Sequence, residues 1–317
     1  MYTFPKPLQP GDTIAIVAPS AALADDDLQE GVDFIRSLGY SVKLGRSVGA
    51  HWGYLAGTDE ARAQDIHEAF GDDSVSAVLC LRGGYGAARL LPLLDYDFIA
   101  AHPKLFMGFS DITALHTAFL QRCRMATVHC AMAMSLGHTA SDYTREQFAQ
   151  GLQSPFSART FQLPEGTALE PIVQGCAAGP LCGGNMMLLS VLTGTPYGLD
   201  GTNAVVLMEE IGEDAYALDR MLCQFEQSGL PERAAAFVFG EFAHCEPTQK
   251  GEYEFTVKEV IFQYAKRWGK PALWGFPAGH GRHNAWLPFG VTAQLQSASC
   301  RANLSIIEPA SSGGKGE

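Results

Sequence analysis

The eight cysteines of this 317-residue sequence are scattered, and no two of them form the CxxC pair typical of metal or redox sites. A disulfide framework or a zinc site needs closer grouping of its cysteines, so the pattern predicts neither. In a chain of this length, isolated cysteines are typical of reduced thiols, most of them buried, in a cytoplasmic protein.

The sequence also lacks a long apolar run and a block of basic residues. No stretch approaches the roughly 20 apolar residues of a membrane-spanning helix, and residues 1–20 do not have the pattern of a secretory signal. The formal net charge of −12 is spread along the chain, which argues against binding to nucleic acid or to an anionic membrane surface. We therefore expect a soluble, cytoplasmic protein with neither partner.

The first half of the chain contains a regular alternation of strand-like and helix-like segments. Strands are predicted at Asp12–Ala18, Tyr40–Leu44, Val75–Leu81 and Leu105–Gly108, and helices at Leu23–Leu38, Thr58–Phe70, Ala87–Leu94 and Asp111–Arg122. This alternation predicts βαβ units and an α/β fold with a mainly parallel sheet. Ligands of such sheets bind at the carboxyl ends of the strands, where Arg82–Gly86 and Gly108–Asp111 lie.

The pattern weakens between about residues 137 and 175, and the second half is richer in strands. Strands are predicted there at Ala204–Glu209, Ala235–Phe242, Ala272–Gly275, Val291–Ser297 and Ala302–Ile307, and helices at Asn185–Leu192, Ala215–Gln227 and Lys258–Trp268. We expect an N-terminal α/β domain over residues 1–165 and a smaller, β-rich C-terminal domain over residues 166–308. Residues 309–317 are predicted to be a disordered tail.

Ser110 stands at an abrupt change from strand-like to helix-like sequence. A serine just before a helix is most often an N-cap, because its oxygen accepts an orphan backbone N–H. A strand-to-helix turn also displays a serine above the sheet, with the N–H of the next residue, here Asp111, pointing at a developing oxyanion. The local sequence leaves both interpretations open.

The loop Arg82-Gly83-Gly84-Tyr85-Gly86 follows a buried strand. It has neither the GxGxxG spacing of a dinucleotide-binding loop nor the GK[ST] of a P-loop. One interpretation is a plain glycine-rich turn. The other is a second oxyanion donor beside Ser110, with Arg82 near an anionic group of the substrate.

A hydroxyl nucleophile needs a base, and the base needs an acid that orients it. Among nine histidines, His280 lies in a glycine-flanked loop after a strand, where a side chain is displayed and not packed. His280 and His283 are also candidates for a metal site, but no nearby cysteine or carboxylate cluster completes the three or four ligands of zinc.

Candidates for the acid are Glu209 and Glu210, which end an apolar strand. Because side chains alternate along a strand, the two carboxylates face opposite sides. One of them would orient a histidine while the other stays solvated; alternatively, both are solvated charges at a strand end. His129 and Cys130 form another possible nucleophilic pair, but no strand-to-helix elbow surrounds them, which favours a buried thiol.

Six segments, in order along nearly the whole chain, form a more specific pattern than any one of them. They are Pro10–Ser20, Leu81–Gly86, Gly108–Thr113, Gly183–Asn185 with Gly194–Tyr197, Met208–Glu213 with Asp219–Leu222, and Gly279–Gly290. Together they resemble the LD-carboxypeptidase family of serine peptidases, which includes the muropeptide LD-carboxypeptidases and their microcin-immunity relatives.

The resemblance implies a catalytic triad in which Ser110 is the nucleophile, His280 the general base and Glu209 the orienting acid. It implies an oxyanion hole made by the N–H of Asp111 and one N–H of the Gly83-Gly84 pair. It further implies a flavodoxin-like N-terminal domain that supplies the serine, and a C-terminal domain that supplies the other two residues. Members of the family are commonly homodimers.

The activity that the resemblance implies is hydrolysis of the L,D-peptide bond between a diamino acid and the terminal D-alanine of murein tetrapeptides, as part of cell-wall recycling. No metal or organic cofactor is expected. Arg82 is a candidate for binding the terminal carboxylate of the substrate, since guanidinium binds carboxylate in a bidentate manner.

The sequence departs from the family pattern at Val128-His129-Cys130, where the family often has a glycine after the histidine. No long insertion resembles the aromatic loop of the microcin-immunity branch, which favours the carboxypeptidase branch. The alternatives are a microcin-type amide hydrolase of the same family, an α/β-hydrolase-like esterase and a non-enzymatic ligand-binding protein. The esterase is disfavoured because Phe109-Ser110-Asp111-Ile112 lacks the second glycine of GxSxG.

Overall fold

A computed structural model describes residues 2–23, 28–245, 255–298 and 301–307. The predicted tail at residues 309–317 and Cys300 lie outside the described residues, as do residues 24–27 of the first predicted helix. Within these ranges, no helix has the length and apolar character needed to cross a membrane.

Strands and helices alternate through most of the described chain. The strands are β1 (Thr13–Val17), β2 (Ser41–Leu44), β3 (Val75–Cys80), β4 (Leu105–Gly108), β5 (Thr127–His129), β6 (Arg159–Thr160), β7 (Glu170–Val173), β8 (Gly175–Asn185), β9 (Val205–Ile211), β10 (Ala236–Ala243), β11 (Ala272–Trp274), β12 (Leu287–Phe289), β13 (Thr292–Ala298) and β14 (Arg301–Ile306). The α-helices are α1 (Leu28–Ser37), α2 (Asp59–Gly71), α3 (Tyr96–Ala101), α4 (Thr113–Ala118), α5 (Asp142–Gln153), α6 (Met186–Leu192), α7 (Ala215–Gln227), α8 (Leu230–Arg233) and α9 (Val257–Trp268).

The first sheet has the strand order β12-β5-β4-β3-β1-β2. Strands β1 to β5 are parallel, and their order is that of flavodoxin-like folds, so the predicted α/β fold class is confirmed. The order reverses at β1 and β3, and ligands bind at such a switch point. The loops after β1, β3 and β4 therefore meet at one edge, which places residues 82–86 beside the turn at Ser110.

The second sheet has the order β6-β14-β13-β8-β9-β10-β11-β7. Its centre, β8 to β11, is parallel, and its two sides are antiparallel. Glu209 lies near the end of β9, in register with Asn185 of β8. The parallel centre gives this half of the chain its own edge of strand ends. At that edge the N–H of Asn185 donates to Thr113 Oγ1, at the start of α4, at 3.0 Å.

The two sheets exchange strands across the expected domain boundary. Strand β6 precedes residue 165 but pairs with β14, whereas β12 comes from the second half and pairs with β5 of the first sheet. The division at residue 165 stays a prediction. Because β12 follows the His280 loop closely in sequence, its pairing ties that loop to the sheet that carries Ser110.

Two predicted helices differ from the structure. Residues Ala87–Leu93 form a 3₁₀ helix that contains Pro92, because proline has no N–H for a helical hydrogen bond and disrupts an α-helix interior. The helix expected over Asp111–Arg122 is a 3₁₀ turn at Ser110–Ile112, then α4, then a π-helical turn at Phe119–Cys123.

Trp286 is the largest fully buried side chain and lies between the His280 loop and β12. Its ring packs edge-on against Phe148 of α5 at 5.8 Å, and its indole N–H donates to the carbonyl of Pro155 at 3.1 Å. A Cβ on Gly151 would come within 2.1 Å of the ring, so α5 and the indole are in direct contact. This contact holds the segment after His280 against α5.

We predict that Trp286→Ala lowers the free energy of unfolding by about 3–5 kcal/mol, because a fully buried aromatic is replaced by a cavity. Trp52→Ala is the matched control, since Trp52 is 49% exposed and its loss should cost well under half as much. Urea unfolding followed by circular dichroism measures both. Equal costs for the two variants would contradict the packing role of Trp286.

Candidate active site

The backbone at the end of β4 displays the Ser110 side chain. Phe109 is extended, and Ser110 has a φ of 65°, in the left-handed region that residues other than glycine rarely adopt. Such a conformation costs about 1–3 kcal/mol and is concentrated at functional sites. The Ser110 hydroxyl caps no backbone N–H among the described residues; its hydrogen-bond partner is His280. The N-cap interpretation is therefore wrong for this serine.

A chain of hydrogen bonds runs from Ser110 through His280 to Glu209. The Nε2 of His280 lies 2.8 Å from Ser110 Oγ, and its Nδ1 lies 2.7 Å from Glu209 Oε2. Glu209 is fully buried, and the His280 side chain is 13% exposed. The structure thus brings together the three residues predicted for a triad, from the two different sheets.

The protonation of His280 is set by competing effects. Burial lowers its pKa, but the hydrogen bond and negative charge of Glu209 raise it more, helped by the charge of Glu210. The net result is a pKa above the ordinary value. With Glu209 accepting from Nδ1–H, the neutral ring has its Nε2 lone pair directed at the Ser110 hydroxyl, which is the arrangement that a general base requires.

Glu210 has a separate set of partners. It accepts hydrogen bonds from Asn185 Nδ2 and from the N–H of Met187, each at 2.7 Å, and it is 2% exposed. Burial raises its pKa to about 7. The expectation that the second carboxylate stays solvated is wrong, because β8 and α6 cover that face of β9.

The glycine loop after β3 approaches the Ser110 side chain closely. A Cβ on Gly83 would lie 2.8 Å from both Cβ and Oγ of Ser110, and one on Gly84, with φ of 109°, would lie 2.6 Å from Ala21 Cβ. The N–H groups of Gly83, Gly84 and Asp111 donate no hydrogen bond to any described residue. They are therefore available to an oxygen atom placed beside Ser110.

A cavity of about 250 Å³ opens above Ser110. Its lining is Leu81, Arg82, Gly83, Gly84, Phe109, Ser110, Met132, Met134, Ser135 and His280. Arg82 Nη1 donates one long hydrogen bond, 3.3 Å, to the carbonyl of Ala22. Residues 132–135 form one wall of this cavity. The sequence did not predict that wall, because Val128-His129-Cys130, just before it, departs from the family pattern.

The carboxylate of Asp111 has a structural role that the sequence reasoning missed. Its Oδ2 accepts from Ser20 Oγ at 2.6 Å and from the N–H of Ala87 at 2.7 Å. Burial raises the pKa of Asp111, and these hydrogen bonds oppose that effect. The side chain ties the Ser110 turn to the loops after β1 and β3. The sequence feature that could have indicated this role is Ser20, which lies in the first of the six family-like segments.

Neither alternative site is supported by the geometry. Cys130 and His129 are buried, and burial raises the pKa of the Cys130 thiol and lowers that of His129 well below its ordinary value. His280 and His283 have different partners, since His283 Nδ1 lies 2.9 Å from Ser141 Oγ. Within the described ranges, no three His, Cys, Asp or Glu side chains group as metal ligands.

A family model described as the LD-carboxypeptidase N-terminal domain matches residues 14–130, and one for the LD-carboxypeptidase C-terminal domain matches residues 178–295. Ser110 lies in the first match, and Glu209 and His280 lie in the second.

Similar curated and solved proteins cover nearly the whole chain. A probable murein peptide carboxypeptidase of Bacillus subtilis is 36% identical over 93% of this chain and 92% of its own. A murein tetrapeptide carboxypeptidase of Pseudomonas aeruginosa is 35% identical over 91% and 94%. The crystal structure of a muramoyltetrapeptide carboxypeptidase from Oxalobacter formigenes is 30% identical, with a TM-score of 0.81 over 93% of this chain and 99% of the other.

We predict that Glu209→Gln lowers the pKa of His280. The carboxylate stabilises the protonated imidazolium, so its removal favours the neutral ring and moves the titration midpoint to lower pH. The change is measured by NMR titration of histidine ring signals, with His280→Ala used to assign the signal. Glu210→Gln serves as the control and should shift the midpoint less. An unchanged midpoint in Glu209→Gln would contradict the electrostatic analysis.

Proposed function

The chain belongs to the LD-carboxypeptidase family, and we propose that it hydrolyses the L,D-peptide bond to the terminal D-alanine of murein tetrapeptides. The observation that carries the proposal is the hydrogen-bonded chain of Ser110, His280 and Glu209 at the floor of a cavity. A serine, a base and a buried acid in this order are the machinery of acyl transfer through a covalent intermediate.

In the proposed mechanism, His280 Nε2 takes the proton of the Ser110 hydroxyl as the oxygen attacks the carbonyl carbon of the diamino acid. The imidazolium then gives that proton to the amine of the departing D-alanine, and an acyl-enzyme remains on Ser110. A water molecule, deprotonated by His280, releases the peptide and regenerates the serine. Glu209 holds the ring through Nδ1–H and stabilises the imidazolium. These steps need no metal or organic cofactor, because the three side chains supply the nucleophile and the proton transfers.

The oxyanion of the tetrahedral intermediate is proposed to bind the N–H of Asp111 and one N–H of the Gly83-Gly84 pair. Support comes from the 2.8 Å approach of a Gly83 Cβ position to Ser110 Oγ. Removal of one such donor typically costs 10²–10³-fold in kcat. Arg82 is proposed to bind the terminal carboxylate, since it lines the cavity and makes only one long hydrogen bond within the described part of the chain.

We also propose that the protein works in the cytoplasm as a homodimer. The seven described cysteines are free thiols, which suits a reducing compartment. The homodimer rests on the family resemblance alone, and sedimentation velocity measures it directly.

We predict that Ser110→Ala abolishes release of D-alanine from murein tetrapeptide, followed by mass spectrometry, while the folded structure is retained. His280→Ala should lose nearly as much, about 10⁴-fold or more, because triad members act as a unit. Glu209→Ala should lose less than these two but more than Glu210→Ala.

Two results would separate the parts of this proposal. Equal losses in Glu209→Ala and Glu210→Ala would reject Glu209 as the orienting acid. Suppose that wild-type protein reacts with a fluorophosphonate at Ser110 but releases no D-alanine. That result would support the assignment as a serine hydrolase and reject murein tetrapeptide as the substrate. An aminoacyl-nucleotide analogue, the substrate type of a microcin-type hydrolase, would then be assayed in its place.

A further inference from the structure

A second and larger cleft is lined in part by Arg282 and His283, which follow His280 in the same loop. Its volume is about 700 Å³, compared with about 250 Å³ for the cavity above Ser110. Residues 138–143 form one wall, residues 282–283 another, and residues 164–166 close it. We call this the distal cleft. Most of its lining is polar or charged, which is typical of a surface that binds a polar ligand.

The walls of the distal cleft continue those of the active-site cavity. Ser135 and His280 line the cavity, and His138 and Arg282 line the cleft, three and two residues further along the same segments. Two residues of chain span at most about 7 Å. The Cα atom of Arg282 therefore lies within about 7 Å of that of His280, whose ring contacts Ser110 Oγ, so the distal cleft begins close to the reacting serine.

Hydrogen bonds hold the two walls together. His283 Nδ1 lies 2.9 Å from Ser141 Oγ, and the N–H of Asn284 donates to Thr144 Oγ1 at 3.0 Å. Both partners belong to the N-terminal turn of α5 or its cap. The cleft is thus formed before a ligand arrives, which reduces the ordering cost of binding.

Arg282 is a positively charged residue of this cleft that is available to bind a ligand. It is exposed, and it makes no hydrogen bond or ion pair with any residue in the described ranges. His138 pairs with Glu30. Burial, and then the charge of Arg282, lower the pKa of His283, which favours its neutral form. The carboxylates of Asp142 and Glu165 also line the cleft, so its charges are mixed.

We propose that the distal cleft binds the acyl part of the substrate, with Arg282 binding a free carboxylate of that part. The inference rests on the proposed function. D-alanine, the leaving group, is a single small residue, whereas the acyl part is a branched tripeptide that needs more room than 250 Å³. That tripeptide contains a γ-linked glutamate, whose α-carboxylate is free. A guanidinium is the side chain best suited to bind it.

The test compares wild type and variant enzymes on three substrates by kcat/KM. The enzymes are wild type and Arg282→Ala, and Arg220→Ala on the exposed face of α7 is the matched control. The substrates are the tetrapeptide, its analogue with the glutamate carboxylate converted to a carboxamide, and an N-acetylated diamino-acyl-D-alanine dipeptide. Release of D-alanine is the readout for all of them.

We expect Arg282→Ala to lower kcat/KM for the tetrapeptide by about tenfold, mainly through KM, as one exposed charge-assisted contact is lost. The carboxamide analogue and the dipeptide should lose less than about twofold, because they lack the free carboxylate of the glutamate. Arg220→Ala should change none of the three. Arg282→Lys should recover part of the loss, since it keeps the charge but not the bidentate geometry.

Equal losses on all three substrates, or no loss on the tetrapeptide, would overturn the inference. Failure of wild type to release D-alanine from every substrate would reject the proposed function instead. In that case calorimetric binding of the tripeptide to wild type and to Arg282→Ala decides the question. Tighter binding by wild type supports the distal cleft, and equal or absent binding rejects it.

Discussion

The two hydrogen bonds of His280 are the interaction on which the rest of the site depends, because they join groups that come from different sheets. Ser110 is fixed by the turn after β4, and Glu209 by the end of β9. Neither side chain touches the other, so the imidazole is their only direct connection in the described site. The position of the His280 loop therefore determines whether the three groups form a single chain.

Several contacts hold that loop in place. Gly279 has φ of 116°, and a Cβ there would lie 2.5 Å from Glu209 Oε2, so only glycine lets the loop approach the carboxylate. Beyond His280, the indole of Trp286 is buried against α5, and β12 pairs with β5 of the first sheet. The loop is thus anchored at one end to the acid and at the other to the sheet that carries the nucleophile. Because rigid elements position it, little reorganisation is needed during reaction.

The electrostatics of the site follow from burial. Glu209 is fully buried, and its charge is compensated by the hydrogen bond to His280, whose pKa is raised in return. The neighbouring Glu210 has no histidine partner, and burial raises its pKa to about 7. Alternation along the strand therefore gives two adjacent glutamates different partners, His280 for Glu209 and Asn185 with the N–H of Met187 for Glu210.

The sequence by itself determined the α/β alternation and the two loops at strand ends, because strand periodicity and turn residues are local signals. The choice of Ser110, His280 and Glu209 came from the resemblance to a family, since local sequence left open both the role of the serine and the choice between the two glutamates. It did not reveal β8, whose glycine- and alanine-rich stretch Gly175–Asn185 lacks the β-branched residues typical of strands. Nor did it reveal the burial of Glu210 or the Asp111–Ser20 hydrogen bond. Only the tertiary structure decided these features, together with the exchange of β6 and β12 between the sheets. Each depends on a partner that is distant along the chain, and local sequence does not specify such a partner.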